Sequence, residues 1–364
     1  MKMTFPHMGN PIIYKKLIEL LGHEIVCPNK PTKKTIELGV KHSPEFACFP
    51  MKAIMGTYIE SLERGANVIV TSGGHGPCRA GFYGEVHKKI LNNMAYDVEF
   101  IVFDSIHKDF KGFMRNMMKL VKCSSPLKVY KSLRLVYKIT KDIDYFEKII
   151  QTKRAYEINK GQCSRALEEI IKLYDQVKDN KDLKKAKKTS QHIVDNISIK
   201  YVEEDFKIRI GIVGEIYVVM ESSVNMKIEE VLASLGCEVR RSHYLSDWAD
   251  HNIVPKIFRN DREDEILKKG EPYIEVQIGG HAKETLGHIV DYKEKGFDGI
   301  IHLLPFGCLP ELVSQSIIPR MSREINMPIL SIALDEQSGL ANNLTRIEAF
   351  IDIIKTKKKR KIVS

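Results

Sequence analysis

The chain has 364 residues, 43% of them hydrophobic, and a formal net charge of +10 at pH 7. That length exceeds what one hydrophobic core usually serves, so more than one domain is expected. No stretch approaches the ~20 apolar residues of a membrane-spanning helix, and the N-terminus lacks the charged-then-apolar profile of a signal peptide, so a cytoplasmic protein with no membrane partner is expected.

In chain order, Lys2–Phe5 reads as a first strand and Pro11–Leu21 as an amphipathic helix. His23–Val26 is a second strand that ends at Cys27. A helix over Met51–Arg64 leads through Gly65 into a buried-type strand, Val68–Thr71. The Gly-rich turn Gly73–Cys78 follows, then a helix to about Asn93 and the strand Val98–Phe103. Strands alternating with helices predict a parallel, doubly wound sheet.

The texture changes between 108 and 200, where Gly112 and Gly161 are the only glycines and Pro126 the only proline. Long helices are expected there, with the lysine-dense run Lys178–Lys188 as a loop or exposed helix end. Residues 111–200 hold 22 Lys and Arg against 10 Asp and Glu, so the remainder of the chain is close to neutral. A solvated helical face is the simplest account of this basic segment. By charge alone it could also attract nucleic acid, an anionic cofactor such as a nucleotide-tailed thioester, or an acidic protein partner; the reading of the chain as a whole expects no nucleic-acid partner.

A second α/β unit begins with the strand Lys207–Val213, followed by a helix over Met226–Leu235 and the strand Glu238–Arg240. Tyr273–Ile278 reads as a further strand before the turn Gly279-Gly280-His281. A helix to about Lys293 and the strands Gly299–Leu304 and Pro328–Leu334 come next. A helix over Thr345–Ile354 then runs into a basic tail, Lys357–Lys361, expected to be frayed. The predicted fold class is therefore α/β, two doubly wound parallel-sheet domains with a helical, basic middle segment, divided as 1–107, 108–205 and 206–364. An internal echo supports two similar units: Arg64-Gly65-Ala66-Asn67-Val68 leading to Gly76-Pro77-Cys78 resembles Lys295-Gly296-Phe297-Asp298-Gly299 leading to Gly307-Cys308.

The seven cysteines, at 27, 48, 78, 123, 163, 237 and 308, are odd in number and widely spread, so ligands or nucleophiles are expected before disulfides. In an open parallel sheet, ligands collect beyond the carboxyl ends of the strands, where Cys27, Cys78 and Cys308 fall. Cys48 lies between Pro44 and Pro50 just before a helix, where free backbone N–H groups and the helix dipole favour a thiolate. Local C-x-x-C pairs are absent, so spacing alone leaves an iron–sulfur cluster, a zinc ion and plain buried thiols all open for Cys48, Cys78 and Cys308. His75, Arg79, His281 and Glu311 sit beside these loops as candidate acid/base or supporting groups, against a reading of ordinary local hydrogen bonding. Neither G-x-G-x-x-G nor G-x-x-x-x-G-K-[ST] occurs, so no ATP is expected to bind this chain.

Phe5-Pro6-His7-Met8-Gly9-Asn10, Ser43-Pro44-Glu45 through Cys48, and Gly74-His75-Gly76-Pro77-Cys78-Arg79-Ala80-Gly81-Phe82-Tyr83 resemble the acyl-CoA dehydratase activase-related proteins. These are relatives of the 2-hydroxyacyl-CoA dehydratase subunits and of the double-cubane cluster proteins. Val213-Gly214-Glu215-Ile216-Tyr217, Asn225, Gly279-Gly280-His281, Pro305–Glu311, and Thr345-Arg346 with Glu348-Ala349-Phe350 continue the likeness. It covers both α/β units and fades across 108–200. The resemblance implies an iron–sulfur cluster, 4Fe–4S or double-cubane, held by Cys48, Cys78 and Cys308, with one iron left open. It also implies a separate ATP-hydrolysing activator that delivers low-potential electrons in trans, an anaerobic setting, and an acyl-CoA or other small substrate. A dimer is compatible with it. The expected role is a reductase or dehydratase component; the alternative is an iron–sulfur electron carrier or assembly protein without a substrate of its own.

Overall fold

The computed structural model describes residues 1–73, 78–103, 110–121, 125–252, 254, 262–337 and 339–363. The first unit alternates β1 (Lys2–Thr4), α1 (Ile12–Leu20), β2 (Glu24–Ile25), α2 (Lys33–His42), α3 (Phe49–Glu63), β3 (Val68–Ser72), α4 (Tyr83–Asn93) and β4 (Glu99–Phe103). A helical stretch follows: α5 (Phe110–Leu120), α6 (Pro126–Lys153), α7 (Gln162–Asp175) and α8 (Asn180–Asp195). The second unit contains β5 (Ile208–Gly214), α9 (Ile216–Met220), α10 (Ile228–Ser234), β6 (Cys237–Arg241), α11 (Leu245–Asn252) and α12 (Arg262–Gly270). It closes with α13 (Ala282–Glu294), β7 (Gly299–Pro305), α14 (Leu309–Glu324), β8 (Ile329–Leu334) and α15 (Leu340–Val363).

The sheet orders are β2-β1-β3-β4 and β6-β5-β7-β8, and every pairing is parallel. The two units therefore repeat one topology, which is the physical basis of the internal echo. Gly65 and Gly296 take the same role in each, with φ of +91° and +75° just past the end of a helix, where a side chain would be strained. Every residue of β7 is buried, as expected of a central parallel strand covered on both faces. Among the described residues no helix is long and apolar enough to cross a membrane.

One element settles an alternative and two depart from the sequence reading. The lysine-dense run forms the exposed amino end of α8 rather than a loop, because the Asp179 side chain caps the backbone N–H groups of Lys181 and Asp182 while Leu183, Ala186, Ser190 and Val194 bury one face. Tyr273–Ile278 is no strand: the amides of Tyr273 and Ile274 both turn back to the carbonyl of Gly270. The basic tail continues α15, where Lys358 Nζ lies 2.9 Å from Asp298 Oδ1.

The N-terminal segment Phe5–Asn10 docks on the second unit. His7 Nδ1 lies 2.7 Å from Glu221 Oε2, and the amide of Gly9 donates to the same oxygen at 3.1 Å. Burial alone would raise the Glu221 carboxyl, but the hydrogen bonds from His7 and Ser223 prevail and hold it below its ordinary value. A depressed carboxyl contributes stability that is present above its unfolded value, about 4.3, and is lost as pH falls through the folded value. Glu221→Gln is therefore expected to cost on the order of 3 kcal/mol at pH 7, and to leave a gap to the parent that narrows as acid protonates Glu221. Urea unfolding at pH 7 and pH 4 checks this; an equal gap at both would remove the ion pair as the cause.

Candidate cysteine site between the two units

Cys48, Cys78 and Cys308 each occupy a helix N-cap. Cys48 precedes α3, Cys308 precedes α14, and Cys78 precedes a 3-10 turn, Arg79–Phe82, that runs into α4. All three have extended backbone, so their side chains leave the helices at the amino ends, where unpaired N–H groups favour negative charge. The amides of Ala80 and Glu311 favour the thiolates of Cys78 and Cys308 without closing full capping hydrogen bonds. The six described cysteines are free thiols.

Backbone contacts draw the three loops together. The Arg79 guanidinium donates to the carbonyls of Phe46 at 2.8 Å and Gly307 at 2.6 Å, so one side chain ties the turn after Cys78 to the loops before Cys48 and Cys308. The amide of Phe49 reaches the carbonyl of Phe306 at 3.3 Å. Glycines allow the close approach: a Cβ on Gly307 would lie 3.6 Å from Cys48 Cα, and one on Gly280 would lie 3.7 Å from Cys78 Sγ and 2.7 Å from Pro310 Cγ. The first sheet supplies two of the cysteines and the second supplies the third.

The electrostatics are those of a partly dry site. Burial pushes all three thiols up, and the Glu215 carboxylate adds to the rise at each. The Tyr83 hydroxyl and Cys48 Sγ share a hydrogen bond that favours the Cys48 thiolate, and the Arg79 guanidinium opposes the rise at Cys48 and Cys78. Glu215 follows β5 and accepts from the amide of Val218 at 3.1 Å. Its own carboxyl is raised by burial, with His281 pulling it down and Glu311 pushing it up.

Of the remaining candidates, Arg79 reaches the site directly. Glu311 is fully buried and engaged inside the second unit, accepting from Thr285 Oγ1 at 3.1 Å and lying 2.9 Å from His302 Nε2. His281 caps α13, with its ring centroid 4.7 Å from that of His243. These two line a cavity of about 60 Å³ together with His288 and Glu284. His75 and Cys123 lie outside the described residues. Cys27 sits apart: its carbonyl accepts from Arg64 at 2.8 Å, and Lys15, Asp175 and Glu19 surround its thiol. Cys163 and Cys237 are buried in apolar clusters.

Sequence reading missed Tyr83 and Glu215 as site groups, although both fall within the motifs that carry the resemblance. It also missed the apolar rim. Phe46, Phe82, Phe306 and Leu309 flank the three cysteines and are all more than half exposed, from 54% at Leu309 to 79% at Phe46.

Among the described residues no three or more His, Cys, Asp or Glu side chains are arranged to hold a single metal ion. A cluster makes a different demand, because each thiolate binds a separate iron and the sulfurs stand further apart. The residues suit it: three cysteine sulfurs at helix N-caps, a tyrosine hydroxyl hydrogen-bonded to one of them, and glycines where bulk would intrude. The chain matches no protein-family model and no curated protein.

Proposed function

We propose that Cys48, Cys78 and Cys308 hold an iron–sulfur cluster, 4Fe–4S or double-cubane in type, and that the chain is the electron-accepting component of a reductase or 2-hydroxyacyl-CoA dehydratase-like system. The observation that carries this reading is the convergence of three N-cap cysteines from both units, clamped by Arg79. When bound, such a group supplies low-potential one-electron chemistry. Around it, the Tyr83 hydroxyl would donate to a metal-bound Cys48 Sγ, the Arg79 guanidinium offsets negative charge, and Gly280 and Gly307 keep space clear. The Phe46, Phe82 and Phe306 rim offers an apolar landing surface for an electron-delivering partner. Without a triphosphate loop in this chain, ATP hydrolysis belongs to that partner.

A second reading, an electron carrier or assembly protein with no substrate, draws on the size of the cavity beside His281. About 60 Å³ is far below the roughly 300–1,000 Å³ of a small-molecule pocket.

Reduction kinetics test the scheme. The isolated protein is expected to hydrolyse no ATP and to be reduced slowly by dithionite, and faster when an ATP-hydrolysing activator and MgATP are added. If the basic helices assist docking, raising salt from 0.05 to 0.5 M slows the transfer, since screening acts over roughly 10 Å at 0.1 M. Equally fast reduction without the activator contradicts the scheme.

A further inference from the structure

At the amino-terminal end of β5, away from the cysteines, a groove of about 380 Å³ opens between α6, β6 and the end of α13. Five basic side chains line it, Lys148, Arg209, Arg240, Arg262 and Lys295, against one carboxylate, Glu238. Their neutralisation is uneven. Arg209 Nε lies 3.1 Å from Glu238 Oε2, and Lys295 Nζ lies 2.5 Å from Asp291 Oδ2. Arg240 and Arg262, both half-buried, have no carboxylate partner among the described residues. Lys148 Nζ reaches Asp247 at 4.0 Å and sits 4.1 Å above the Tyr244 ring. Burial pushes its ammonium below its ordinary value; Asp247 and Asp144 oppose that fall, and repulsion from Arg262 and Arg240 adds to it.

Crowded cations without partners in a concavity repel one another until an anion fills the space. The groove has a second property. Tyr292 and Phe297, with ring centroids 4.6 Å apart, form an aromatic wall, and the buried Tyr292 hydroxyl has no hydrogen-bond partner among the described residues. We propose that this groove binds a small phosphate-bearing molecule, gripped by Arg240 and Arg262 and walled by Tyr292 and Phe297. Guanidinium forks match phosphate oxygens two at a time, and the volume is that of a small-ligand site rather than a flat protein surface. Recognition comes from side-chain cations, with no glycine-rich phosphate loop.

Arg209 and Glu215 stand at opposite ends of β5, about 20 Å apart at the rise of a strand, so this ligand does not touch the cysteines. The proposal is independent of the cluster reading. Because Lys148 comes from α6 and Arg240 from β6, a bound anion would tie the helical stretch to the second sheet and raise the melting temperature.

Calorimetric titration of the full chain with sodium pyrophosphate and with adenosine 5′-monophosphate, at physiological salt, tests this. Saturable binding of at least one is expected, weakened roughly tenfold or more by Arg240→Gln, as loss of a charge-assisted pair implies. Arg262→Gln repeats the test from a separate helix should the first variant fold poorly. Lys184→Gln, exposed on α8, should leave binding unchanged. Tighter binding of the nucleotide points to an aromatic-bearing ligand, and tighter binding of pyrophosphate to a plain phosphoanion. Absence of saturable binding by both, or an equal loss in Lys184→Gln, overturns the proposal.

Discussion

Cys48→Ala, Cys78→Ala and Cys308→Ala are each expected to remove most of the iron from protein purified without oxygen, while Cys163→Ala and Cys237→Ala retain it. The first three sulfurs stand at helix N-caps in loops joined by Arg79, so loss of any one leaves an incomplete set that the other two cannot replace. Cys163 and Cys237 are fully buried among apolar side chains of separate clusters and have no route to the same group. Cys27→Ser is also expected to retain iron, since its thiol faces Lys15 and Arg64. Iron determination per chain reads all six variants. Full iron in any of the first three takes that residue out of the ligand set, and complete loss in Cys27→Ser would add a fourth ligand from a distance the fold does not explain.

Gly56→Ala is expected to be among the most damaging single substitutions. The helices α2 and α3 cross at backbone contact: a Cβ on Gly56 would lie 1.9 Å from the Thr35 carbonyl oxygen, and one on Gly39 would lie 1.8 Å from that of Lys52. Backbone cannot move aside by changing rotamer, so the helices must separate. The cost should be on the order of 3 kcal/mol, or a fall in Tm of roughly 4 °C if the whole chain unfolds together. Because α3 begins at Cys48, the shift also withdraws that sulfur from the other two, and iron content should fall with it. Gly65→Ala is the comparison. Its Cβ would meet nothing within 4 Å, so it carries only the strain of φ +91°, about 1–2 kcal/mol, and should keep its iron. A Gly56→Ala protein with unchanged Tm and iron would mean the crossing does not position Cys48.

The strands were legible because central parallel strands are continuous apolar runs, as in Val68–Ser72 and Gly299–Pro305, each preceded by a helix-stopping glycine. The helix α2 was not: its sequence, KKTIELGVKH, is polar on average, and it is set by a reciprocal Thr32–Thr35 cap and by burial of Gly39 against α3. Tyr273–Ile278 shows the opposite failure. Its apolar–polar alternation has strand period, yet it finds no neighbouring strand and follows the last turn of α12 instead.

At the site, Cys48, Cys78 and Cys308 could be picked out by their proline and glycine surroundings, which mark strand ends and helix starts in one dimension. What joins them is not local. Arg79 contacts a carbonyl 228 residues away, and Glu215, just after β5, raises all three thiols. The pairing of His243 with His281 and His288 likewise depends on how α13 lies against the end of β6. No spacing rule encodes such contacts, because they follow from how two similar units face each other.

The measurement that bears most directly on the central claim is the iron and acid-labile sulfide content of the full chain, purified without oxygen and followed by its visible absorption. Both elements present in roughly equal amounts, near four or more of each per chain, are the expected result for a cluster on three cysteines. A protein that folds, binds zinc or nothing, and gains neither iron nor sulfide on reconstitution would contradict it.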